Sequence, residues 1–221
     1  MRNHKATTAA AALAAAGALL LTGCGGGSKG GDDSKKIAGA DTGASASASP
    51  SASASSTPDA ANRPKVVLPA GDVLTFDPEK TGDPVKDAIL ADNAEYQKAI
   101  EEAIDKQDPK SKSVAFYSVG KALIIDTQWI AGFVKDGTTV TGTTRLFNRE
   151  VTVDKDGSAQ LTYCGDETKG FTKDRKTGKV NVTPPDKNSY VSYVSRLRKN
   201  AQGVWQTTMV SSVRGDQKCQ P

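Results

Sequence analysis

Residues 119–147 read VGKALIIDTQWIAGFVKDGTTVTGTTRLF, and the hydrophobic period changes partway along them. Through Val134, the side chains of Ala122, Leu123, Trp129, Ile130, Phe133 and Val134 fall on one face of a helix. Beyond Gly137, Thr and Val recur with the period of two that a strand requires. Gly137 stands where a helix needs a residue tolerant of left-handed backbone to stop. The stretch therefore predicts a helix over 119–134, a stop at Gly137 and a strand over 138–147.

The same reading extends in both directions. Upstream, Asp83-Pro84 pairs an N-cap with a proline at the first helical position. Val85, Ile89, Tyr96, Ile100, Ala103 and Ile104 then form a stripe to about Lys106, and Pro109 ends the helix. Glu101 and Glu102 fall on the side of this helix expected to face water. Downstream, strands are predicted over 150–153 and 159–163 around the turn Asp154-Lys155-Asp156-Gly157. A second pair, 189–198 and 204–213, flanks Lys199-Asn200-Ala201-Gln202-Gly203. Helices first and antiparallel strands afterwards define an α+β domain with helices on one face of a sheet.

The N-terminus reads as an address. Arg2 and Lys5 precede the apolar stretch Ala9–Leu21, which is followed by Leu21-Thr22-Gly23-Cys24. A positive start, a short apolar run and small residues before a cut form a secretory signal. The run is shorter than the roughly 20 residues a spanning helix needs. Leu-Thr-Gly-Cys resembles the lipobox of bacterial prolipoproteins. That resemblance implies cleavage after residue 23 and a diacylglycerol on the Cys24 sulfur, holding the protein at the outer face of the cytoplasmic membrane. Residues 24–64 then carry the lipidated Cys and a Gly, Ala, Ser and Pro-rich tether. Such a composition cannot bury enough apolar surface to offset chain entropy, and predicts disorder with an r.m.s. reach of roughly 35 Å. The globular domain is expected over 65–221.

Composition narrows the function. The one histidine, His4, lies in the expected signal, so the mature chain is read as having none. That removes Ser-His-Asp and Cys-His nucleophile systems and His-based metal sites. No phosphate-cradling loop or cofactor motif is present, so neither a cofactor nor a metal is expected. Of the 29 Lys and Arg, two belong to the signal, against 25 Asp and Glu. That near balance argues against nucleic acid as a partner.

The order of elements resembles the NTF2-like (SnoaL-like) superfamily, in which helices fill the concave face of a bent antiparallel sheet. Three stretches are similar to a group of actinobacterial secreted lipoproteins of unknown activity. They are Tyr163-Cys164-Gly165-Asp166 through Lys179, Ser192-Tyr193, and Gly203-Val204-Trp205-Gln206. The superfamily holds isomerases, cyclases, dehydratases and non-catalytic adaptors, so the resemblance implies a fold and leaves the activity open.

With Cys24 lipidated, Cys164 and Cys219 remain as an even pair in an oxidising compartment, which predicts a disulfide. The expected third strand ends at Cys164, and the last hairpin returns the chain to that edge. Asp126 lies within the apolar arc of the second helix and must be paired, hydrogen-bonded or protonated. It is a structural acid matched by Arg145 or Arg196, or one reached by water at the helix edge, or, as the resemblance implies, a pocket base. Trp129, Tyr193 and Trp205 are candidate pocket walls or core. The segment 169–179 carries Lys169, Lys173, Arg175, Lys176 and Lys179 as a candidate anion-binding loop, or simply a solvated one. The expectation is a membrane-anchored, non-catalytic binding or accessory module, whose partner is an envelope protein or an anionic polymer. The alternative is a small isomerase- or dehydratase-type enzyme using Asp126.

Overall fold

The computed structural model describes residues 62–221. The signal, Cys24 and most of the expected tether lie outside the described residues. The elements in chain order are β1 (Asp72–Phe76), α1 (Pro84–Lys106), α2 (Lys112–Tyr117), α3 (Gly120–Asp136), β2 (Thr138–Val153), β3 (Ser158–Asp174), β4 (Val180–Asn181), β5 (Tyr190–Lys199) and β6 (Trp205–Arg214). Single 3-10 turns occupy Lys187–Ser189 and Gln217–Cys219.

Both long helices start and stop for local reasons. The Asp83 carboxylate accepts from the backbone N–H groups of Val85 and Lys86 at 2.8 and 3.1 Å, satisfying two donors that the first turn leaves free. At the other end of α3, Gly137 takes φ 64° and returns its N–H to the carbonyls of Phe133 and Val134. The chain enters β2 immediately, as the change of period predicts.

The sheet runs β1-β2-β3-β5-β6, with β4 added to β3. Every neighbouring pair is antiparallel except β1 with β2, which is parallel. The sheet is therefore mixed, a correction to the all-antiparallel expectation. The parallel partner is a five-residue strand ahead of α1, and the three helices supply the long crossover that a parallel pair requires.

The strands β2 and β3 are also longer than expected. What reads as two strands, 138–147 and 150–153, is one strand with register shifts at Thr143/Arg145 and Phe147/Glu150. Asn148 sits at φ 52° in the second of these. Such irregularities bend a strand and increase its twist, curving the sheet around the helices.

The core lies between the helices and one sheet face. Ile89 and Leu90 of α1 meet Leu146, Leu161, Tyr163, Leu197 and Trp205 of the sheet. A second cluster joins Tyr96, Ala99, Ala103 and Ile104 to Val114, Tyr117 and Ile130 of α2 and α3. This is the α+β cone architecture. Arg63, read from sequence as tether, belongs to it: its guanidinium pairs with the buried Asp92 carboxylate.

Cys164 and Cys219 are joined in a disulfide. Cys164 lies within β3, opposite Ser192, rather than at a strand end, because β3 runs on to Asp174. The bond ties the C-terminal turn to the sheet. A closed loop of 55 residues restricts the unfolded chain by up to about 4 kcal/mol.

Candidate functional site

A cavity of about 280 Å³ opens between α1, α3 and the sheet. Helical and strand periodicity determine what lines it. From α1 come Gln97, Glu101 and Ile104, spaced so that one face of the helix presents all three. From α3 come Trp129 and Phe133, one turn apart, with ring centroids 5.4 Å apart in an edge-to-face contact. Asp72 and Leu74 alternate inward from β1, and Thr144 and Leu146 from β2. Glu167 and Phe171 of β3, Tyr193 of β5 and Arg214 of β6 complete the wall.

Three carboxylates reach this space in different electrostatic states. Glu167 is matched: Arg214 donates to its Oε2 at 2.7 Å, and the Tyr193 hydroxyl donates to Oε1 at 3.5 Å. Tyr193 stacks flat on Tyr163 at 4.8 Å, and burial pushes its phenol well above the ordinary range. Asp72 is 9% exposed, and its Oδ2 is shielded from water without a hydrogen-bond partner. Burial, and then the Asp105 charge, push it up to about 6. Glu101 Oε2 is likewise shielded and unpartnered. Burial pushes Glu101 up to about 8, and the charges of Asp72 and Glu167 add to the effect.

Glu101 and Glu102 are thus not on a solvated face, contrary to the sequence expectation. Glu102 is buried and accepts from the Val67 N–H at 3.0 Å and from Lys106 at 2.7 Å. The Val67 backbone bonds Glu102, and Glu101 faces the cavity, on the side of α1 that the helical pattern assigns to water. The run of polar residues on α1 was the available signal, but nothing local says what lies over it.

Asp126 does not line the cavity. It is 3% exposed and accepts a hydrogen bond of 2.7 Å from the Tyr96 hydroxyl. Burial raises its carboxyl, and the hydrogen bonds from Tyr96 and Ser118 oppose that shift. The arginines expected as its partners are engaged elsewhere: Arg145 with Asp77 at 3.0 Å, and Arg196 with Asp154 at 3.0 Å. Among the candidate aromatics, Trp129 and Tyr193 do line the cavity. Trp129 stands at its rim, 54% exposed, rather than in the core. Trp205 is a core residue, and its backbone N–H donates to Asp92 Oδ2 at 2.8 Å.

The candidate anion-binding loop also divides. Lys169 and Lys173 lie on β3, opposite Thr143 and Thr139 of β2. Arg175 donates to the Asp105 backbone carbonyl and approaches the Asp105 carboxylate at 3.4 Å. Lys176 and Lys179 alone remain on the exposed turn between β3 and β4. The five cations do not converge on one point.

No family model matches the sequence, and no curated protein matches it. Solved structures similar in fold include Aln2 from a Streptomyces species, at 16% identity over 61% of this chain and 94% of that one, with a TM-score of 0.41. A ketosteroid isomerase-like protein from Erwinia carotovora atroseptica is 18% identical over 57% of this chain and 93% of its own, with a TM-score of 0.39. The intermembrane space region of the chloroplast protein ARC6 is 16% identical over 61% and 99%, with a TM-score of 0.36.

Proposed function

We propose that this chain is a membrane-anchored extracytoplasmic lipoprotein, and that its NTF2-like domain is a binding module holding a small ligand in the cavity between α1 and the sheet. The anchor part of the reading is supported by the Leu21-Thr22-Gly23-Cys24 pattern behind a short apolar run. Among the described residues, no helix is long and apolar enough to cross a membrane. The ligand part is carried by one observation: the carboxyl groups of two residues that line the cavity, Asp72 and Glu101, each keep a shielded oxygen without a hydrogen-bond partner in the fold. Shielded polar groups are normally matched, and two unmatched carboxyl groups in one cavity wall are what a ligand carrying hydrogen-bond donors would satisfy.

A fluorophore tests this directly. N-phenylnaphthylamine, neutral and apolar, should bind the full chain saturably with a rise in emission. Thr172 also lines the cavity from β3, and Thr172→Trp, which fills it, should abolish the signal while leaving the melting temperature near its original value. Unaltered emission in that variant would place the dye, and the ligand site, elsewhere.

A second reading, a small isomerase- or dehydratase-type enzyme, is favoured by the Glu101 carboxyl near 8, which can exchange a proton at neutral pH. Glu101 rather than Asp126 is then the base. Recovery of a bound ligand without deuterium exchange in heavy water supports the module; exchange at its C–H groups supports the enzyme.

A further inference from the structure

The cavity is sharply asymmetric in its charge. Every ionisable group facing it can be assigned by element: Asp72 from β1, Glu101 from α1, Glu167 from β3, Tyr193 from β5 and Arg214 from β6. Arg214 is the one cation among them, and it is already spent on Glu167. The Asp72 and Glu101 side is left with two carboxylates and no counter-charge. Asp72, more than nine-tenths buried, lines the space, and its shielded Oδ2 has no hydrogen-bond partner. An ionised group so placed lacks the donors that water would supply, and the deficit persists until something else supplies them.

The rest of the wall decides what that donor belongs to. Leu74, Ile104, Phe133 and Phe171 are apolar, and Trp129 closes the rim. A bare metal ion needs at least three converging ligands, and among the described residues no group of His, Cys, Asp and Glu provides them. A neutral alcohol offers one O–H and no charge. A primary ammonium offers three N–H donors and the missing positive charge, and aromatic faces also attract a cation.

We propose that the cavity selects a monocationic amphiphile, a primary amine on an apolar body, with the ammonium between Asp72 and Glu101 and the body against Phe133, Phe171 and Trp129. This inference rests on the cavity being a ligand site, as argued above. Binding draws the Glu101 carboxyl into the ionised form, so it releases a proton at neutral pH.

Calorimetry on the full chain tests it with three probes of nearly one shape: phenethylamine, phenethyl alcohol and hydrocinnamate. Phenethylamine should bind about tenfold or more tightly than the alcohol, as expected for hydrogen bonds to charged acceptors. Its apparent heat should differ between buffers of unequal ionisation enthalpy, in the sense of proton release. Glu101→Gln should bring amine affinity down close to that of the alcohol. Asp72→Asn should act in the same direction, and proton release in the unsubstituted chain needs no variant at all. Equal binding of amine and alcohol, or preference for hydrocinnamate, would overturn the charge assignment while leaving the cavity a binding site. If none of the probes binds and N-phenylnaphthylamine also fails, the ligand-site reading falls, and this inference with it.

Discussion

The Tyr96 hydroxyl of α1 donates to Asp126 Oδ1 of α3 at 2.7 Å, with both side chains buried. The two longest helices are therefore joined by a polar bond inside the core. Removing one partner leaves the other shielded and unmatched, at about 1–3 kcal/mol. Tyr96→Phe and Asp126→Leu should each lower stability by that amount in chemical denaturation. The double variant should recover much of the loss, because no orphaned group remains. A stabilisation by Asp126→Leu alone would mark the carboxylate as a functional liability instead.

Stability should fall as pH rises from about 5 to about 8. Glu101 and Asp72 hold protons in the fold up to about 8 and about 6. Between the ordinary carboxylate range and those values, the folded chain binds more protons than the unfolded one, so each step up in pH favours unfolding. The exposed acids whose carboxyls are lowered, such as Asp156 and Asp174, act in the opposite sense and only at more acid pH. Glu101→Gln should raise the melting temperature at pH 8, change it little at pH 5, and flatten the slope between. A slope unaffected by the substitution would contradict the assignment.

Strand β3 and the C-terminal turn share the Cys164–Cys219 bond. Replacing both residues with Ser should cost up to about 4 kcal/mol, read as a lower urea midpoint. Peptide mapping without reduction should recover the two segments linked. Freely alkylated thiols in unreduced protein would refute the pairing.

The proposed anchor makes an equally simple demand. Cys24→Ser should move the protein from the membrane fraction to the soluble one and remove the mass of the acyl chains. Unchanged detergent partitioning would show that Cys24 does not hold the protein to the bilayer.

What could be read in advance was what is encoded locally. Asp83 and Gly137 place helix ends because capping involves only nearby backbone, and the turns at 154–157 and 199–203 place hairpins for the same reason. Strand β1 was not legible: its five residues put Asp with Leu and Phe on one face and Val with Thr on the other, and they are held by pairing with β2, distant in the chain. Glu101 and Glu102 read as solvated because the cavity wall facing Glu101 and the Val67 backbone that bonds Glu102 come from distant parts of the chain. The burial of Asp126 followed from its place on the helix. Its partner did not, because Tyr96 counts as apolar in a helical pattern while its hydroxyl does the bonding. Trp205 and Trp129 are both aromatic residues in regular elements, and burial alone separates the core residue from the rim residue.

The central claim is that the cavity wall around Glu101, and not the core around Asp126, is where this domain meets its ligand. Thermal melts with and without phenethylamine measure it most directly, on the unsubstituted chain and on Glu101→Gln and Asp126→Asn. The account predicts that the amine raises the melting temperature of the unsubstituted chain and of Asp126→Asn by similar amounts, and leaves that of Glu101→Gln almost unmoved. A ligand-induced rise that survives in Glu101→Gln and vanishes in Asp126→Asn would contradict it.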